Sequence, residues 1–115
     1  MSPDRTTDPK YCVVLTTCAS DQDGRTLALA LLDQRLAACV QVLDIRSYYT
    51  WQGAAAEEPE KLLLIKTRRA LYDQVEAALQ AVHPYETPEI VCLPLVDGAA
   101  SYLGWITDMT VASGR

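Results

Sequence analysis

One histidine, no Cys-x-x-Cys pair and no long apolar stretch set the first limits on this 115-residue sequence. Zinc sites bring their ligands in closely spaced pairs, so the spread of Cys12, Cys18, Cys39 and Cys92 argues against a structural zinc knuckle. The longest apolar run, Leu27 to Leu32, falls well short of the ~18 residues that a membrane-spanning helix needs. Cations are scarce too: ten Lys and Arg stand against fifteen Asp and Glu, for a net charge of −5. A nucleic-acid surface needs clustered cations to displace counterions, and only Lys66, Arg68 and Arg69 come close together. No phosphate loop, dinucleotide fingerprint or His-x-x-x-His is found. Residues 1–10 are polar, with two prolines and two aspartates, and lack the apolar stretch of a signal peptide. They read as a loose tail, and the thiols are expected to stay reduced in the cytoplasm.

What remains is a globular composition, half apolar and 22% charged, expected to form one domain over residues 11–112. Tyr11 to Thr17 is a β-branched run and predicts a strand. Ser20 with Asp23 three residues later predicts a capped helix start, and Asp21 and Asp23 suit its dipole. Leu29, Leu32 and Leu36, widened by Ala28 and Leu31, predict the buried stripe of a helix ending near Leu36. Cys39 to Trp51 reads as a strand whose apolar parity switches from Val40 and Val42 to Leu43, Ile45, Tyr49 and Trp51. A period-two strand that switches parity implies a bulge or kink near Leu43-Asp44. Ala54 to Pro59 reads as a loop, Glu60 to Thr67 as a strand apolar on both faces, and Leu71 to Val82 as an amphipathic helix that Pro84 stops. Glu89 to Leu95 is a last strand and Tyr102 to Met109 a terminal helix. The order predicts an α+β, ferredoxin-like βαββαβ domain with an additional C-terminal helix. Its helices would cover one sheet face and leave the other, apolar face for self-association.

Five ordered motifs resemble the CutA divalent-cation-tolerance family: Arg35-Leu36-Ala37-Ala38-Cys39-Val40, Trp51-Gln52-Gly53, Leu62-Leu63-Leu64-Ile65-Lys66-Thr67, His83-Pro84-Tyr85-Glu86-Thr87-Pro88-Glu89-Ile90 and Tyr102-Leu103-Gly104-Trp105. The resemblance implies a cytoplasmic homotrimer, PII-like in assembly, that is connected with copper or another divalent cation and has no established catalytic reaction. It departs from the family in two places. Asp44 stands in a shortened stretch where members carry a Pro-Gly pair. Thr16 and Val82 stand where some members assign copper ligands, so that only His83 carries over.

Imidazole is a common copper ligand, and the metal candidates are His83, Glu86 and Cys18, the one thiol expected to be accessible. The alternative for His83 is a helix-end cap. Trp51, Lys66, Tyr85 and Glu89 are candidates for a ligand pocket or subunit interface. Glu57, Glu58 and Glu60 attract cations loosely or form a solvated loop. Two further readings stay open: a PII-like sensor or scaffold holding a small ligand between subunits, and a thiol-dependent hydrolase pairing Cys18 with His83.

Overall fold

The computed structural model describes residues 9–112, so residues 1–8 of the expected tail lie outside it. Four strands, β1 (Tyr11–Cys18), β2 (Cys39–Trp51), β3 (Ala54–Arg68) and β4 (Ile90–Leu95), form one sheet in the order β2-β3-β1-β4. Every neighbouring pair is antiparallel. Helices α1 (Asp21–Asp33), α2 (Tyr72–Val82) and α3 (Ala100–Met109) complete the chain, and a single 3-10 turn leads into α2. This is the ferredoxin-like layout with a helix added at its end.

Local chemistry accounts for the ends of α1. The Ser20 hydroxyl accepts the Asp23 amide at 3.1 Å, which caps the start as the sequence predicts. The helix stops at Asp33, three residues before Leu36. Arg35 adopts φ 56°, and the Arg35 and Leu36 amides turn back to the Leu32 and Leu31 carbonyls. That paired closure usually employs glycine; here the Arg35 guanidinium reaches the Asp108 carbonyl at 3.0 Å. The buried stripe is also displaced from the expected one. Gly24, Leu27 and Leu31 face the sheet, whereas Leu29 and Leu32 are exposed.

The core fills the space between the sheet and α1 and α2. Cys12, Val14, Leu63 and Ile65 point from the sheet toward Leu27, Leu31, Leu71, Val75 and Leu79. Gly24 lies inside this layer, and a Cβ there would meet Cys18 Sγ at 3.6 Å and Leu63 Cδ1 at 3.7 Å, ordinary contact distances. Gly24→Ala should therefore stabilise the protein by about 0.5–1 kcal/mol by removing unfolded-state freedom. An unchanged or lowered urea midpoint would contradict this.

Three expectations about the sheet need correction. The β2–β3 register runs unbroken from Cys39↔Lys66 to Trp51↔Ala54, so there is no bulge at Leu43-Asp44. Residues 54–59 are strand and not loop, since they continue the same ladder to a two-residue turn at Gln52-Gly53. Both turn residues have positive φ, as a tight hairpin matched to strand twist requires. The helices are also not all on one face. Tyr11, Lys66 and Arg68 alternate away from the core, and their side chains bond to α3 or the residues just after it. Helix α3 therefore covers one end of the second face. Beyond it Leu43, Val91 and Leu93 remain exposed.

Candidate functional site

The hairpin projects past the helices, and a cleft of about 980 Å³ opens between its second face and the loop after α2. Period two places Ser47, Tyr49 and Trp51 of β2 and Glu58 and Glu60 of β3 along it. The loop contributes Tyr85, Glu86 and Glu89. Four carboxylates line the cleft with no Lys or Arg among the lining residues, so its field favours cations.

His83 anchors the loop. Its backbone amide closes α2 on the Leu79 carbonyl at 2.9 Å. Its Nδ1 accepts the Tyr85 amide at 3.1 Å, which leaves Nε2 to carry the proton and donate to the Thr17 carbonyl at 2.9 Å. Both ring nitrogens are thus engaged, and a metal could take Nδ1 only by displacing the Tyr85 amide. Tyr85 donates to Glu60 Oε2 at 2.7 Å, while Ser47 donates to Glu60 Oε1 at 2.6 Å. Burial, and then the bond to the Glu60 carboxylate, pushes the Tyr85 phenol far above its ordinary range, so it stays a donor. A continuous run of hydrogen bonds therefore links β1, the end of α2, the loop, β3 and β2.

Cys18 is fully buried, contrary to the expected accessibility. Its thiol donates to the Ser20 carbonyl at 3.5 Å, and burial raises its pKa. The sequence misleads here because β1 continues one residue further and turns Cys18 under α1. Cys12 is buried as well, its thiol pushed up to about 12 by burial and by the neighbouring Cys92 thiol. All four cysteines are free. A thiol reagent should label Cys39 and Cys92, which are half-buried, in the native protein and all four after denaturation. Rapid native labelling of Cys18 would overturn this.

Among the described residues no group of three or more His, Cys, Asp or Glu side chains could hold a metal ion. Glu86 lines the cleft, His83 braces it from behind, and Cys18 faces α1, so these three are not brought together as ligands within one chain. Thr16 is wholly buried and its Oγ1 has no hydrogen-bond partner. Thr16→Val should remove that orphan hydroxyl at constant volume and stabilise by about 1–2 kcal/mol. A lower melting temperature for the variant would contradict this.

Trp51, Tyr85, Glu86 and Glu89 do converge on the cleft. Lys66 does not. It lies six positions along β3 from Glu60, about 20 Å away, with its ammonium 5.5 Å from the Tyr102 ring centroid. Glu58 and Glu60 are more central than the sequence suggests. Extending the strand reading back through residue 58 would have placed both on the face of Leu62 and Leu64.

Fold and cleft together define a ferredoxin-like α+β protein with an open, acid-lined cleft on its sheet. The model of the CutA1 divalent ion tolerance protein family matches residues 12–109, and the chain belongs to that family. The divalent-cation tolerance protein CutA of Thermus thermophilus is 43% identical over 99 residues, covering 85% of this chain and 96% of that protein. Protein CutA 1, chloroplastic, of Oryza sativa is 37% identical over 111 residues; these cover 96% of this chain but only 62% of the rice protein. Among solved structures, CutA1 from Thermus thermophilus superposes with a TM-score of 0.84 at 42% identity, covering 88% of this chain and 99% of that one. CutA1 from Pyrococcus horikoshii gives 0.86 at 30% identity, covering 88% and 99%. No described helix is long and apolar enough to cross a membrane.

Proposed function

We propose that this protein is a non-catalytic homotrimer of the cytoplasm that takes up divalent cations, copper before zinc, at the carboxylates of the cleft. The observation that carries this reading is a lining with four carboxylates and no basic side chain. Copper leads because nitrogen and oxygen sites generally hold Cu²⁺ more tightly than Zn²⁺. Uptake is expected to be weak, since one chain offers no preformed three-ligand set; His83 joins only by exchanging the Tyr85 amide for the metal. The trimeric part of the reading rests on the exposed apolar residues Leu43, Val91 and Leu93 beyond α3. The non-catalytic part rests on the engaged imidazole and the buried, protonated Cys18 thiol, which leave no activated nucleophile. Four free thiols suit a reducing compartment.

Calorimetric titration with Cu²⁺ and Zn²⁺ tests it. Glu58→Gln combined with Glu86→Gln should abolish most of the copper uptake without altering assembly. Uptake equal to the parent's would end the carboxylate reading. A second reading, a sensor that binds a small organic ligand, is favoured by the cleft's size, which lies in the range of small-molecule sites. Binding of a metabolite at the cleft in metal-free buffer would select it.

A further inference from the structure

At the opposite end of the sheet lies a second cavity, of about 540 Å³, lined by Lys10, Tyr11, Arg68, Arg69 and Thr107 among others. Its character is the reverse of the cleft's. Three cations line it and no carboxylate does, in a chain whose net charge is −5. Among the described residues the ion pairs involve only Arg46, Lys61 and their acidic partners, and Lys10, Arg68 and Arg69 meet no carboxylate there.

Two of these cations are held in place by neutral groups. Arg68 donates from Nε to Thr110 Oγ1 at 2.9 Å and from its terminal nitrogen to the Val111 carbonyl. Arg69 lies over the Tyr72 ring, 5.7 Å from its centroid, and its amide bonds to the Lys10 carbonyl at 2.8 Å. The last bond also ties the backbone of Lys10 to that of Arg69. Such fixing spends little conformational freedom when an anion arrives. Tyr11 and Thr107, hydrogen-bonded to each other at 2.6 Å, add two hydroxyls to the same wall.

We propose that this cavity binds the phosphoryl group of a small phosphorylated molecule. Guanidinium forks match phosphate oxygens, and a doubly charged group answers three converging cations better than a single carboxylate does. The volume exceeds that of a bare phosphate, which leaves room for the group that carries it. The site is separate from the acidic cleft and does not depend on metal uptake there.

The test uses the full chain and pyrophosphate as probe, titrated calorimetrically in metal-free buffer at low salt. Saturable binding is expected, weakening as salt is raised. Arg69→Ala and Lys10→Ala should each weaken it by about tenfold, as expected when a charge-assisted contact is lost. Arg68 also fixes the segment after α3, so Arg68→Lys replaces the Ala variant there and should weaken binding while the melting temperature is held. The cleft variant Glu58→Gln/Glu86→Gln should bind pyrophosphate as the parent does. No heat with the parent protein, or affinity equal to the parent's in both Arg69→Ala and Lys10→Ala, overturns the proposal.

Discussion

A chain carrying Leu93→Glu should fold normally and elute at one third of the parent's mass. Leu93 points away from the core on β4, at a position that is 47% exposed in the single chain, so a carboxylate there costs the isolated fold little. With Val91 and Leu43 it forms the apolar surface that α3 leaves uncovered. In a closed threefold assembly the same replacement would bury three unpaired charges at once. Each such burial costs about 3 kcal/mol or more, enough to undo such an interface. Light scattering after size exclusion gives the mass, and circular dichroism shows whether the fold is kept. A variant that keeps the parent's mass would place the subunit contact elsewhere.

Leu63→Ala is expected to be the most damaging single truncation. Leu63 is fully buried at the centre of β3, opposite Thr16 on β1 and Val42 on β2, and it lies against Gly24 of α1. Trimming its isobutyl side chain to a methyl leaves a cavity walled by a sheet and a helix that cannot close on it, for a loss of about 3–5 kcal/mol. In a domain of this size that corresponds to a fall in melting temperature of roughly 15 °C or more. The stability of a chain that self-associates depends on its concentration, so parent and variant are to be melted at one concentration. A fall of only a few degrees would mean that the core yields and refills the space.

Most of the fold was legible because its signals are local. The Ser20 cap, the Leu71-Val75-Leu79 stripe and the Pro84 stop each depend on a few neighbouring residues, and all appear where expected. The failures share a cause, which is that the missing information lies across the sheet. Glu57, Glu58 and Pro59 have poor strand propensity, yet the ladder from the Gln52-Gly53 turn carries them along. The parity switch on β2 is real, but a bulge is not its cause. The register stays unbroken, and what changes is the face that needs cover: helices over Val40, the open second face at Leu43 and Ile45. The burial of Cys18 is hidden from the sequence for a similar reason, since only the packing of α1 decides which end of β1 is covered. The acidic cleft needed the paired hairpin before its carboxylates could be seen as neighbours, whereas Trp51, Tyr85, Glu86 and Glu89 were visible from the motifs alone.

The run of bonds from Ser47 through Glu60, Tyr85 and His83 to the Thr17 carbonyl also works as a lever. Each Glu60 oxygen already accepts one hydrogen bond, and a cation seated on this carboxylate draws electron density away from the bonds to Tyr85 and Ser47 and weakens them. Loosening Tyr85 slackens the loop that holds the His83 ring against the end of β1. Occupancy of the cleft would then be announced on the far side of the sheet, as faster amide exchange in the last turn of α2. Unchanged exchange at Ala81 and Val82 on saturation with Cu²⁺ would show that the lever does not move.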